Sequence, residues 1–450
     1  MRLLFCCEFY APSVGGVQEV MRQIAERMVA RGHEVTVATT KLAARHFSEL
    51  NGVHIKEFGI TGNSAGRIVG EVERYRQFVL DFPADAILIK AAQQWTFDAL
   101  LPILDRIHSR KVFIPCGFSG LHNPAFAQYF RELPKHLAAF DRLIFYANQY
   151  RDIDFARQHG LQNWVVIPNG ADEREFGPIP QANDLRKKLG ITPQHFVFST
   201  VGSLTGRKGH LELAMAFARM RTHGRAVTLI LNGNALLPPQ IDRFKRHADD
   251  MAAPSTMTYI RNLARSAYIY LRRLPSELRR LASKAKRKLI NSTVSSLNFW
   301  IHVAQLQPGK TVLRTDLSRD DVVRLFQTTD LFVFCSNIEY SPLVLFESAA
   351  AGTPFLTVPV GNAREILAWT GGGLLCDAKA DEQGMTRVNP RDLAAAMEAA
   401  MLDPASIKAL GARGRAQWKQ HFSWDVIANH YENILTDDIS GPPAGKLFEV

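Results

Sequence analysis

The chain has 450 residues, 46% of them apolar and 22% charged. That length allows about three domains, and the composition excludes a disordered chain, a collagen-like repeat and a small disulfide scaffold. The formal net charge is +11, and the five cysteines (Cys6, Cys7, Cys116, Cys335 and Cys376) form no CxxC pair, so a reduced, cytoplasmic protein is expected. No apolar run approaches the roughly 18 residues that span a bilayer, and Glu8 follows Arg2 too soon for a secretory leader.

The first forty residues read as strand, loop, helix, strand. Leu3 to Cys7 is a continuous apolar run, as in a buried parallel strand. The loop EFYAPSVGG follows. Val17, Val20, Met21, Ile24, Ala25, Met28 and Val29 then recur at helical spacing up to Gly32. A strand is predicted from Glu34, and others at Ala86–Ile89, Val112–Ile114, Leu143–Phe145 and Val165–Ile167, with room for helices between them. That alternation is the pattern of a doubly wound α/β domain.

A second unit of the same kind begins after the run PIP at 178–180. Strands are predicted at Phe196–Val201, Val227–Leu231, Asp330–Cys335 and Phe355–Val358, and helices at Leu211–Met220 and Leu343–Ala351. Ligands of such sheets bind at the carboxyl ends of the strands, where each loop considered below falls.

Residues 236–309 interrupt this second unit. Within 241–290 thirteen basic residues stand against four acidic ones, so most of the net charge sits there. Leu263, Ala267, Leu271, Leu274, Leu278 and Leu281 recur three or four apart among the cations. Two readings stand: a cationic helix lying on an anionic membrane surface, or leucines packed on the domain with arginines in water. Phe299, Trp300 and Ile301 fit either.

The densest constellation is SNIEYSPLVLFE over 336–347. Glu339 lies in the loop after a strand and Glu347 inside the next helix. Two carboxylates offer acceptors to a ligand rich in hydroxyls, and the amides around Ser341, Leu343 and Val344 open a helix, where a phosphate meets the positive end of its dipole. VGSLTGRKG over 201–209 is a glycine-rich turn ending in Arg207 and Lys208, cations suited to the charge developing on a diphosphate leaving group. Gly15 and Gly16 let backbone approach a ligand at a helix start. VIPNGAD over 166–172 is a strand and turn at the expected domain junction.

Taken in order, GGV, IPNG, GxxxxxKG and the paired glutamates resemble the family 4 retaining glycosyltransferases of the GT-B fold, over nearly the whole chain except the basic insert. The resemblance implies two Rossmann-like domains facing a central cleft: residues 1–177 for the acceptor, 178–417 for the donor, and 418–450 as a helix crossing back. It implies that Glu347 binds the nucleotide ribose, Glu339 the donor sugar and Lys208 the diphosphate, with Gly16 approaching the phosphates. The expected substrates are a nucleoside diphosphate sugar and a polysaccharide or lipid-linked acceptor, with no metal and no nucleic acid. Another enzyme of this fold (a sugar-nucleotide epimerase or a phosphorylase) and a basic RNA-binding protein are the alternatives.

The chain departs from the family pattern in three places. Ser203 stands where Arg often follows glycine, leaving Arg207 as its substitute. Cys116 replaces a histidine before Gly117, with His122 six residues on as a second acceptor-side candidate. Tyr340 stands where glycine often follows the first glutamate. Other matches are discounted: PGKT at 308–311 lacks the first glycine of a P-loop, DID at 152–154 falls in a predicted helix, GGG at 371–373 reads as a loop, and the fourteen histidines show no zinc spacing.

Overall fold

The computed structural model describes residues 1–177, 183–233, 296–382 and 384–437. Most of the basic insert, including 241–290, therefore lies outside the described residues, as does the PIP run at 178–180. The chain divides into two units, Met1–Gln181 with Ile338–Leu375 and Ala405–Val450, and Ala182–Asn337 with Cys376–Pro404. The fold is α/β with parallel sheets, as the periodicity predicts.

The larger unit is built on an eight-stranded sheet. Its order is Trp164–Val166, Arg142–Phe145, Arg110–Ile114, Ala86–Lys90, Arg2–Cys6, Glu34–Thr40, Val53–Phe58 and Glu49–Leu50. Every neighbouring pair is parallel except the last. Leu3, Leu4, Phe5 and Cys6 are wholly buried, because apolar clusters cover both faces of the sheet. Val53–Phe58 was not foreseen: His54, Lys56 and Glu57 alternate with buried residues in a strand covered on one face.

One of the two clusters is completed from the far end of the sequence. Trp424, Ile427, Ala428, Tyr431 and Leu435, from the helix Trp424–Thr436, lie in the same core as Leu3, Phe5 and Val35. Ser423 caps that helix by accepting from Val426 N at 3.3 Å. Arg31, just past the end of the helix Gly16–Ala30, reaches Asp425 and Glu432, both at 2.9 Å.

In the smaller unit the strands Lys310–Thr315, Val227–Asn232, Phe196–Val201 and Leu331–Phe334 run parallel, in that order. Lys310–Thr315, the second unforeseen strand, starts inside the PGKT sequence. Lys310 is buried and donates to the carbonyls of Phe217 (2.7 Å), Ala218 (3.2 Å) and Met220 (2.7 Å) and to Gln307 Oε1 (2.8 Å). It thus satisfies the carbonyls that the helix His210–Arg219 leaves unpaired at its end. The sequence PGKT is a helix terminator here.

Leu297–Gln305, the described end of the insert, packs on the helix His210–Arg219. The Arg219 guanidinium lies 4.1 Å from the centre of the Trp300 ring, and Phe299, Trp300 and Ile301 are half-buried. Of the glycines at 371–373, Gly373 opens the short strand Gly373–Leu375 rather than lying in a loop. No helix among the described residues is long and apolar enough to cross a membrane.

Candidate active site

In the smaller unit, the buried strand Phe196–Val201 ends at Gly202, over which the Lys208 stem folds back. Lys208 Cγ lies 3.4 Å from where a Cβ on Gly202 would stand. The Arg207 carbonyl fixes the returning loop, accepting from Asn337 N at 2.9 Å and from Ser336 Oγ at 3.3 Å. Gly209, at φ 72°, closes the turn, and a Cβ there would stand 1.9 Å from the Cys335 carbonyl oxygen. Only glycine passes that point. Arg207 is exposed and Lys208 half-buried.

His210 follows immediately. It is buried, and neither ring nitrogen has a hydrogen-bond partner. Burial first, then the charges of Lys208 and Arg314, pull its pKa down to about 4. Two cations from separate strand ends therefore act on the same position beneath the loop. Such a field favours an anionic ligand there. Sequence reading missed Arg314, because nothing in KTVLRT sets that arginine apart from a solvated one.

In the larger unit, the loop after Arg2–Cys6 is held from below by Arg45. This buried side chain donates to Tyr10 O at 3.0 Å and Ala11 O at 2.7 Å. Gly16 then opens the helix Gly16–Ala30 beside Leu343, whose Cδ1 lies 3.7 Å from where a Cβ on Gly16 would stand. Two of the proposed donor-binding residues thus meet. The helix Leu343–Ala351 has Pro342 at its cap and no side-chain cap bond. Its first amide groups, those of Leu343 and Val344, present the positive end of the helix dipole.

The Glu339 loop is held by three consecutive carbonyls. Glu339 O accepts from the Tyr150 hydroxyl at 2.9 Å, Tyr340 O from Asn362 N at 2.8 Å, and Ser341 O from Asn169 Nδ2 at 3.1 Å. Gly361, at φ 56°, makes the approach possible, since a Cβ there would stand 2.3 Å from Tyr340 O. Glu339 is half-buried and Glu347 is buried within its helix. Asn169 belongs to the IPNG motif, the strand and turn at the expected domain junction. Its carbonyl Oδ1 and the Ser341 hydroxyl are buried without hydrogen-bond partners.

On the acceptor-side candidates the structure is uneven. Cys116 sits at φ 63° at the end of the strand Arg110–Ile114, with its thiol pushed up by burial. Beneath it Lys90 is wholly buried and donates to the Tyr146 hydroxyl at 2.5 Å. Burial brings the Lys90 ammonium down to about 8, against the opposing pull of Cys116 and Cys7. His122 is exposed on the loop after Phe118. Asp152, from the DID sequence, lies in the helix Arg151–Gln158, wholly buried, and accepts from Gly117 N at 2.8 Å.

Residues 14–175 match the family model described as Glycosyltransferase Family 4, and residues 302–417 match Glycosyl transferases group 1. A curated Escherichia coli protein, UDP-Gal:alpha-D-GlcNAc-diphosphoundecaprenol alpha-1,3-galactosyltransferase, is 34% identical over 125 residues, 25% of this chain and 32% of that protein. The match therefore spans about a third of the relative's length. Among solved structures, sucrose-phosphate synthase from Thermosynechococcus elongatus superposes with a TM-score of 0.67 at 16% identity, over 98% of this chain and 99% of that one. HepE from Anabaena, in complex with UDP and glucose, gives 0.64 at 20% identity, over 97% and 100%. WaaG, a glycosyltransferase involved in lipopolysaccharide biosynthesis, gives 0.60 at 17%, over 96% and 99%. At these identities the structural likenesses establish the fold.

Proposed function

The chain belongs to the family 4 glycosyltransferases of the GT-B fold, and from that premise we propose that it transfers a sugar from a nucleoside diphosphate sugar to an acceptor hydroxyl with retention of configuration. The observation that carries this reading is the meeting of Gly16 with Leu343 at the uncapped opening of the helix Leu343–Ala351. Backbone without a side chain stands there beside free amides, which suits a phosphate group.

In the proposed reaction the anomeric carbon–oxygen bond to the diphosphate breaks and a bond from the acceptor oxygen forms on the same face. A phosphate oxygen of the leaving group takes the acceptor's proton. Lys208, with Arg207, and the amides of Leu343 and Val344 meet the charge that develops on the diphosphate. The Ser341 hydroxyl offers a further donor. Glu339 orients the sugar hydroxyls and Glu347 the ribose. The step as written uses no metal, so chelation with EDTA is expected to leave the rate unchanged.

The donor role is proposed for residues 178–417 and the acceptor role for 1–177, with Cys116 and His122 on the acceptor side and 418–450 returning to the first domain; these functional bounds differ from the compact units, in which Ile338–Leu375 and Ala405–Val450 group with Met1–Gln181. The Escherichia coli relative is named for a UDP-galactose donor and a diphosphoundecaprenol-linked acceptor, which supports a UDP-hexose and a lipid-linked acceptor here. Such an acceptor, together with the basic run 241–290, supports a cytoplasmic enzyme at the inner membrane surface. Binding to anionic vesicles that weakens with salt is the matching test.

The primary test is a thermal-shift screen of UDP, GDP, ADP and their common sugars. A ligand that binds only the folded protein raises Tm by mass action. A UDP compound is expected to do so, and a screen in which none of them shifts Tm overturns the donor-site reading.

A further inference from the structure

Tyr340 occupies the position after Glu339, and its side chain is committed on every side. Its ring stacks on Tyr150 with centroids 4.5 Å apart and planes 29° from parallel, and lies 5.5 Å from the Tyr146 ring. Gly117 passes beneath it: a Cβ on Gly117 would stand 3.1 Å from Tyr340 Cγ and 3.2 Å from Tyr150 Cε1. The hydroxyl accepts from Tyr146 N at 3.0 Å and acts on the buried Asp152 carboxylate. Asp152 in turn holds Gly117 N at 2.8 Å. Arg151 closes the arrangement, donating to Gly117 O at 2.6 Å and to the Tyr150 hydroxyl at 3.1 Å. Tyr150 spends its own hydroxyl hydrogen on the carbonyl of Glu339.

We infer that Tyr340 is a positioning residue for Glu339, clamping the glutamate-bearing loop onto the strand-end turns at 116–117 and 146–151 so that the carboxylate is held in one place before any substrate arrives. The role of Glu339 itself rests on the donor-site reading above. The physical reason for a tyrosine is the pairing of a flat ring with a hydroxyl. Stacking holds the ring beyond the area it buries, and the hydroxyl adds hydrogen bonding to that hold. A glycine at 340 supplies neither and frees the loop. Pre-organisation of this kind acts on turnover more than on ground-state binding.

The test compares wild type, Tyr340→Phe and Tyr340→Gly by two measurements. Without ligand, hydrogen exchange of a peptide covering 338–345 is expected to quicken about tenfold or more in Tyr340→Gly and to stay within about threefold in Tyr340→Phe, which keeps the stack. With UDP-galactose as probe, Tyr340→Gly is expected to lower kcat about 30-fold while the Kd of UDP changes less than about threefold, and Tyr340→Phe to recover most of that loss. Unchanged exchange in Tyr340→Gly overturns the clamp regardless of activity. Quickened exchange with full kcat overturns its bearing on Glu339. Wild-type protein that neither binds UDP nor turns over UDP-galactose overturns the donor-site reading instead, and the exchange result still decides the clamp.

Discussion

Asn169 donates its side-chain amide to the carbonyl of Ser341, 172 positions away in sequence, at 3.1 Å. The bond ties the IPNG turn to the loop of the paired glutamates, two motifs that sequence alone treats as independent. Asn169→Ala is expected to cost about 1 kcal/mol of stability and to lower kcat about tenfold with a smaller change in donor KM. Wild-type kcat in that variant, measured by release of nucleotide, would remove Asn169 from the positioning of the loop.

Glu339→Gln keeps the size of the side chain and removes its charge, and Lys208→Ala removes the cation from the glycine-rich turn. Each is expected to lower transfer by about 100-fold or more with an unchanged circular dichroism spectrum. Near-normal turnover in both variants would discard the site assignment.

Lys310 carries a structural burden. Its ammonium, brought down to about 8 by burial, is held by three carbonyls and Gln307. Lys310→Met removes the donor to the Phe217 and Met220 carbonyls, Ala218 O keeping Gln307 Nε2 at 2.7 Å, and is expected to destabilise the fold by about 3 kcal/mol, read as a lower urea midpoint at constant m. Because PGKT serves the helix end, nucleotide affinity in the surviving folded fraction is expected to be unchanged.

Two buried groups give opposite slopes of stability against pH. His210 titrates near 4 when folded, pulled down by burial and then by Lys208 and Arg314, against about 6.5 unfolded. The unfolded chain therefore binds the extra proton between these values, and stability falls as pH drops through that window. Asp152 titrates near 6 when folded, raised by burial, against about 3.9 unfolded. Here the native state binds more protons, so stability falls as pH rises from about 4 to 6 and is flat above. His210→Leu is expected to remove the acid-side loss and Asp152→Asn the opposing one. Denaturant titrations at pH 4.5, 5.5 and 7 separate them, and parallel curves for variant and wild type would contradict the assignment.

Arg27 is buried in the helix Gly16–Ala30 and pairs with Asp172 at 3.1 Å and with Glu173. Asp172→Asn leaves a buried guanidinium short of one partner, so a loss of about 3 kcal/mol is expected. A change below about 0.5 kcal/mol in chemical denaturation would show that Glu173 alone suffices.

The parts of the fold that could be read from sequence are those where burial on all sides writes a predominantly apolar segment. Phe196–Val201 and the helix Leu343–Ala351 have their expected bounds for that reason. Val53–Phe58 and Lys310–Thr315 escaped notice because a half-covered strand interleaves polar residues, and in the second a P-loop-like tetrapeptide competed for the same letters. At the candidate site, Glu339, Glu347 and Lys208 can be proposed from their own chemistry. Those defined by a partner far along the chain were not. Asn169, Arg314 and Tyr150 are ordinary until folding brings Ser341, His210 and Glu339 to them.

The helix Trp424–Thr436 supplies five buried side chains to a core begun by Leu3 and Phe5. A ribosome releases those partners far apart in time. The first-made sheet must wait with one flank bare until Leu435 has emerged, and a chain cut short near residue 420 keeps that apolar face uncovered.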